Sequence, residues 1–190
     1  MTIDRRRQIL DAALAAFLEK GYAATSIADI RARSGASTGS IYHFFSGKGA
    51  LAEALLRESV SGWADLSAPA LDPDASAEAV LKASVRGLML WGFANPARFR
   101  FMDEIRTLKS ADADFAAVRD LLDNGQTVGA AQYARMSAAG AVRNLPFSIA
   151  HALMLGPAYA YLCRAGATPP DEATRIAEFF ADAAWRAVKT

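Results

Sequence analysis

The stretch TSIADIRARSGASTGSIYHFFSGKGAL, residues 25–51, constrains this chain more than any other. It reads as two short helices joined by a tight turn, followed by the start of a third. Thr25 or Ser26 is placed to cap the first of these, and Asp29 follows Ser26 at the spacing of a capping box. That helix runs to about Ser34. Gly35 then falls between two apolar-periodic segments, where a sharp turn needs the left-handed backbone that glycine adopts without penalty. Ser37 or Thr38 can cap the next helix, which ends near Phe44 with Ile41 and either Phe44 or Phe45 turned inward. Two short helices around such a turn form the helix-turn-helix layout used to read DNA.

Charge supports that placement. The whole chain has a formal net charge of only +1, but residues 1–48 hold seven Lys and Arg against four Asp and Glu. The remainder is slightly acidic, so any nucleic-acid contact is expected in the N-terminal quarter. With 190 residues and 53% hydrophobic content there is enough chain for one or two compact domains. Cys163 is the only cysteine, so an intramolecular disulfide is impossible and a reducing, cytoplasmic location is expected. The charged run from Asp4 to Arg7 does not resemble a secretory leader. The most apolar run, Phe147 to Cys163, is short for a membrane span and contains His151 and Pro157, so it reads as a buried helix and no membrane partner is expected.

The 3.6-residue period recurs along the whole chain, and the expected fold is all-α with about nine helices. The first covers about Asp4 to Lys20 and stops at Gly21. The fourth begins near Lys48 and extends toward Trp63, past any minimal DNA-binding module. Breakers over residues 67–76 mark a loop. A fifth helix runs from about Ser76 to Phe93, where Asn95-Pro96 interrupts, and a sixth carries Phe99, Met102 and Ile105. A seventh spans roughly Asp112 to Ala138 with a kink expected at Gly125. The eighth covers about Pro146 to Arg164 and the ninth Asp171 to Val188, with an apolar stripe of Ile176, Phe179, Phe180, Ala183 and Ala187. The expected domains are residues 1–48, the helix-turn-helix domain, and residues 49–190, a regulatory domain.

The segment from Gly21 to Leu51 resembles the N-terminal signature of the TetR family of bacterial transcriptional regulators. Gly21, Thr25-Ser26, Ile30, Gly35, Ser37, Gly39, Ile41-Tyr42, Phe45, Lys48 and Leu51 carry the likeness, in the family's order. Arg31, Ser34 and Ala36 depart from it, standing where the family usually has two small alanines and a branched residue. Arg31 is long enough to snorkel its head to the surface. The resemblance implies an N-terminal helix-turn-helix on a helical domain that dimerises and binds an effector. Thr38, Gly39 and Ser40 would open the recognition helix, with His43 one turn on. Tyr42, Lys48, Thr25, Ser26 and Ser37 would hold phosphates, unless they serve only as core, surface charge or caps. The helix lacks an arginine for guanine, so readout would rest on hydroxyls, His43 and thymine methyl contacts. A homodimer on a palindromic operator, with half-sites roughly 34 Å apart, would supply the affinity.

Gly156 and Ala160 on the eighth helix, with Ile176, Phe179, Phe180 and Ala183 on the ninth, are expected at the dimer interface. Trp91, Phe99, Met102, Ile105, Tyr133, Met136 and His151 are expected to surround a small, largely apolar effector, with Tyr133 and His151 as its polar handles. The commoner mode in such a family is repression relieved by ligand. A regulator without any small-molecule response is the alternative. An enzyme is not expected: Cys163 and His151 lie twelve residues apart on one helix, about 18 Å along its axis, and no metal-ligand spacing or phosphate-binding glycine loop occurs. No cofactor or metal is therefore expected.

Overall fold

The computed structural model describes residues 2–67, 75–108 and 113–190. Among these the structure is helical, with nine α-helices, one 3-10 turn and a single isolated bridge between Val142 and Lys189. The helices are α1 (Thr2–Ala24), α2 (Ile27–Ser34), α3 (Thr38–Phe44), α4 (Lys48–Ser67), α5 (Ala77–Ala94), α6 (Pro96–Thr107), α7 (Ala116–Ala138), α8 (Phe147–Leu162) and α9 (Pro170–Val188). Most of the loop expected over 67–76, and the expected helix start at Asp112, lie outside the described residues. The chain divides into two compact units. One is Met1–Ser59 with Arg100–Asp123, the other Val60–Phe99 with Asn124–Thr190. Helices α4, α6 and α7 each run across the division.

The first unit is built on the apolar face of α1. Ile9, Leu10, Ala13 and Phe17 recur at helical spacing and are buried, as are Ile30 of α2, Ile41 of α3, and Leu51, Leu55 and Leu56 of α4. An aromatic series continues this core: Phe101 stacks on Phe17 at 5.6 Å, Phe17 meets Tyr22 at 5.5 Å, and Tyr22 meets Phe115 edge-on at 5.1 Å. Gly21 does interrupt α1, at φ 76° and ψ 157°, yet the helix resumes and closes one turn later at Ala24. That extra turn carries Tyr22 into the core.

The second unit centres on α5, which packs against α8 and α9. The buried face of α9 is Ala173, Ala177, Ala181, Ala184 and Val188, and these small residues let it lie close to its neighbours. The stripe expected from the sequence points elsewhere: Phe179 and Ala183 are exposed, while Ile176, Phe180 and Ala187 are half-buried. Two apolar faces share this helix, and only packing tells them apart. Ion pairs flank the seam of α5 and α9, with Arg86 donating two hydrogen bonds to Glu178 at 2.5 and 2.8 Å and Lys82 reaching Asp182 at 2.8 Å. The C-terminal residues are tied to the connection before α8: Arg143 N–H donates to the Val188 carbonyl at 2.7 Å, and the Thr190 hydroxyl to the Gly140 carbonyl at 3.0 Å. Helix α7 runs unbroken through Gly125, where the sequence suggests a kink.

Candidate nucleic-acid interface

Ser26 is the N-cap of α2. Its hydroxyl accepts from the Asp29 N–H at 3.2 Å, and the Asp29 carboxylate accepts from the Ser26 N–H at 2.9 Å, closing the capping box. Lys20 of α1 pairs with the same carboxylate at 2.5 Å. The Lys20 hydrogen bond, and then those from Ser26, hold the Asp29 carboxyl far below the usual carboxylate range. A carboxylate depressed by folding stabilises above its unfolded value, about 3.9, and that contribution is lost as pH falls through the folded value. Between pH 7 and strong acid, the wild type is therefore expected to lose more thermal stability than Asp29→Asn. Equal losses in pH-dependent melting would disprove the assignment.

Thr25, the other cap candidate, is buried, and its hydroxyl donates inward to the Gly21 and Ala16 carbonyls at 2.8 and 3.1 Å. It ties the end of α1 to the start of α2. Gly35 closes α2 in the left-handed region, φ 62° and ψ 13°, with its N–H donating to the Arg31 carbonyl at 3.0 Å. Ser37 then caps α3, its hydroxyl accepting from the Ser40 N–H at 3.1 Å. With Ile41 and Phe45 buried on one side, α3 turns Thr38, Gly39, Tyr42 and His43 outward, and Ser40 is half-buried. These four exposed positions lie at i, i+1, i+4 and i+5, so they share one face. Tyr42 is 52% exposed, and His43 rests edge-on against Phe44 at 4.9 Å.

Lys48 sits at the first position of α4. Its ammonium donates to the Tyr22 and Ala23 carbonyls at 2.9 and 3.2 Å and stands 4.5 Å over the Tyr22 ring. Two of its three hydrogens are thereby directed to the end of α1. In the same segment, the Tyr22 N–H donates to Glu104 of α6 at 3.2 Å. Glu104 reads from the sequence as a solvated carboxylate. Its role comes from a partner 82 positions away, and no local pattern signals it. Arg5 is similar, donating to the Gly35 carbonyl in the helix-turn-helix turn at 3.3 Å.

The residues expected around an effector are divided between the units. Trp91, Phe99, Tyr133, Met136 and His151 belong to the second, whereas Met102 and Ile105 are buried in the first. The Tyr133 hydroxyl donates to the Arg143 carbonyl at 2.7 Å, and burial raises its pKa. Phe147 bridges Tyr133 and His151, at 6.1 and 5.7 Å. Of the residues expected at a dimer interface, Ala160, Phe179 and Ala183 are exposed, and Gly156 is half-buried with open space where a side chain would begin. Ile149, Leu153 and Tyr161 of α8 are exposed as well. An aromatic series from Phe93 through Tyr161 and Phe180 to Phe179 completes this surface. Among the described residues, no cluster of His, Cys, Asp and Glu could hold a metal ion, and no helix is long and apolar enough to cross a membrane.

The family model described as bacterial regulatory proteins, tetR family, matches residues 9–55. The chain is 44% identical over 85 residues to the HTH-type transcriptional regulators BetI of Klebsiella pneumoniae (strain 342) and of Escherichia coli (strain K12 / DH10B). That match spans 44% of this chain and 44% of each relative, so the chain covers under half of their length. The fold extends further. A tetR-family regulatory protein from Rhodococcus RHA1 superposes with a TM-score of 0.74 at 23% identity, over 97% of both chains. A TetR-family transcription regulator from Marinobacter aquaeolei VT8 gives 0.75 at 19% identity, over 97% of this chain and 95% of that one.

Proposed function

Since residues 9–55 match the model of the tetR family of bacterial regulatory proteins, we propose that the chain is a transcriptional repressor of that family that binds a palindromic operator as a homodimer. The exposed polar face of α3 carries this reading. Thr38, Gly39, Tyr42 and His43 point away from a core secured by Ile41 and Phe45, and nothing in the packing of the first unit requires their polarity. Thr38, Ser40 and His43 offer hydrogen bonds to base edges, Gly39 lets the backbone approach, and the Tyr42 hydroxyl and the remaining Lys48 hydrogen suit phosphates.

Selection of sites from random DNA is expected to enrich a palindrome. On that operator, His43→Ala and Thr38→Ala should each weaken binding by about 1–3 kcal/mol and relax preference at one base pair per half-site, the cost of a lost base contact. Failure to enrich any palindrome would overturn the reading.

Two identical half-sites call for two-fold symmetry, and the exposed apolar surface of α8 and α9 suits a self-complementary interface. Phe179, 69% exposed, is its most prominent side chain. The effector, in this reading, is a small, largely apolar molecule held among Trp91, Phe99, Met136 and His151 of the second unit. It lowers DNA affinity by favouring a conformation that binds the operator less well. Release of operator DNA in a screen of apolar compounds tests this, and no release by any compound that binds the protein would leave a regulator without small-molecule response.

A further inference from the structure

Seven Lys and Arg side chains lie in the first 48 residues, and the fold engages them unequally. Arg5 donates to Gln8 and to the Gly35 carbonyl, each at 3.3 Å. Arg6 and Arg7 both pair with Glu58, at 3.3 and 3.5 Å, and Arg7 also with Asp11 at 3.1 Å. Lys20 is held by Asp29, Arg33 by Glu19, and Lys48 by two carbonyls of α1. Arg31 differs from all six. It is exposed, and among the described residues no ion pair or hydrogen bond engages its guanidinium.

Its position gives that freedom a direction. Within α2, Ile30 is buried and Ala28, Arg31 and Ala32 are exposed at i, i+3 and i+4, on one face. Two methyl groups and one long cation make a face that can lie close to another surface and reach it with a single charge. In a helix-turn-helix the first helix crosses the DNA backbone while the second enters the groove, and α2 is that first helix, ending in the left-handed turn at Gly35 that sets α3. The exposed face of α3 contributes no permanent cation, so electrostatic attraction to phosphate has to come from outside it.

We propose that Arg31 is a phosphate clamp of this helix-turn-helix, its guanidinium donating a forked pair of hydrogen bonds to a backbone phosphate beside the groove that α3 occupies. The assignment rests on the DNA-binding reading above. It supplies the charge that α3 lacks, and it explains a long cation where the family signature has a small residue. Arg31 in the last turn of α2 also complements the helix dipole, but that role alone predicts a change in stability and none in salt dependence.

The test uses the full chain and the operator it selects, with equilibrium binding measured across a range of salt for wild type, Arg31→Ala and Arg31→Lys. Arg31→Ala is expected to weaken binding about tenfold or more and to reduce the slope of log K against log salt by about 0.9 per protomer. The preference among operator variants should not change. Arg31→Lys is expected to restore the slope but only part of the affinity, because a lysine keeps the charge and loses the fork. An unchanged slope, or loss of preference at one base pair, would overturn the phosphate assignment while leaving DNA binding intact. A wild-type chain that selects no DNA would remove the premise itself, and this is seen before any variant is measured.

Discussion

Gly49→Ala is expected to destabilise the N-terminal unit by about 3 kcal/mol, at the upper end of what an added core methyl costs. A Cβ at this position would lie 1.6 Å from the Asp114 carbonyl oxygen and 2.5 Å from its carbon. Both are backbone atoms of the 3-10 turn Ala113–Phe115, so no side-chain rotation can relieve the overlap. Either α4 or the turn must move, and Phe115, buried against Tyr22, resists the second. Because α4 begins at Lys48, just after α3, a displaced α4 would also misplace the recognition helix and weaken operator binding. Gly125→Ala is the matched comparison. Nothing lies within 4 Å of its added Cβ, and it sits inside α7, so helix propensity should raise stability by up to about 1 kcal/mol. Thermal unfolding of both variants reads the difference. A Gly49→Ala midpoint within a degree of wild type would show that the close approach is not a constraint.

Phe179→Asp is expected to separate the proposed homodimer into folded monomers. The side chain is 69% exposed in a single chain, so the variant leaves no cavity in the core and introduces no buried charge within the protomer. At the centre of an apolar interface the same change removes an aromatic anchor and leaves a carboxylate to be desolvated. Loss of such an anchor costs about 2–4 kcal/mol, or roughly 30- to 1000-fold in the dissociation constant. Sedimentation at micromolar concentration should show monomer with unchanged helical content, and operator affinity should fall with it, since one half-site holds one α3. Ala181→Asp differs: Ala181 is fully buried on the opposite face of α9, and its variant should unfold. A Phe179→Asp chain that remains dimeric would move the interface away from this surface.

The close approach at Gly49 and the exposure of Phe179 are set by tertiary packing and leave no local pattern. The nine helices, a cap at Thr25 or Ser26 and another at Ser37 or Thr38, and the turn at Gly35 follow from patterns only a few residues long. Such patterns are legible because a capping hydroxyl and the N–H it serves lie within one turn. From the sequence, Thr38, Gly39 and His43 are expected on the outer side of α3, but the structure decided that Phe45 rather than Phe44 joins Ile41 in the core and that Tyr42 faces outward. Thr25 and Tyr133 were less legible, because their hydroxyls bond to backbone of another segment across a bend in the chain. Thr25 bonds back to α1, and Tyr133 to a carbonyl in the connection before α8.

By itself, then, the sequence determined the all-helical architecture, the helix-turn-helix and its likeness to the tetR family over residues 9–55. All three rest on periodicity and local hydrogen bonding, which operate over a turn or two of chain. Tertiary structure alone decided which of the two apolar faces of α9 is core. It decided that Lys48 and Glu104 both hydrogen-bond to the backbone of the Tyr22 segment, and that six of the seven N-terminal cations are engaged within the fold while Arg31 is left outward. Those outcomes depend on which surfaces meet after the chain has turned back on itself, and residues far apart in sequence carry no local mark of that meeting.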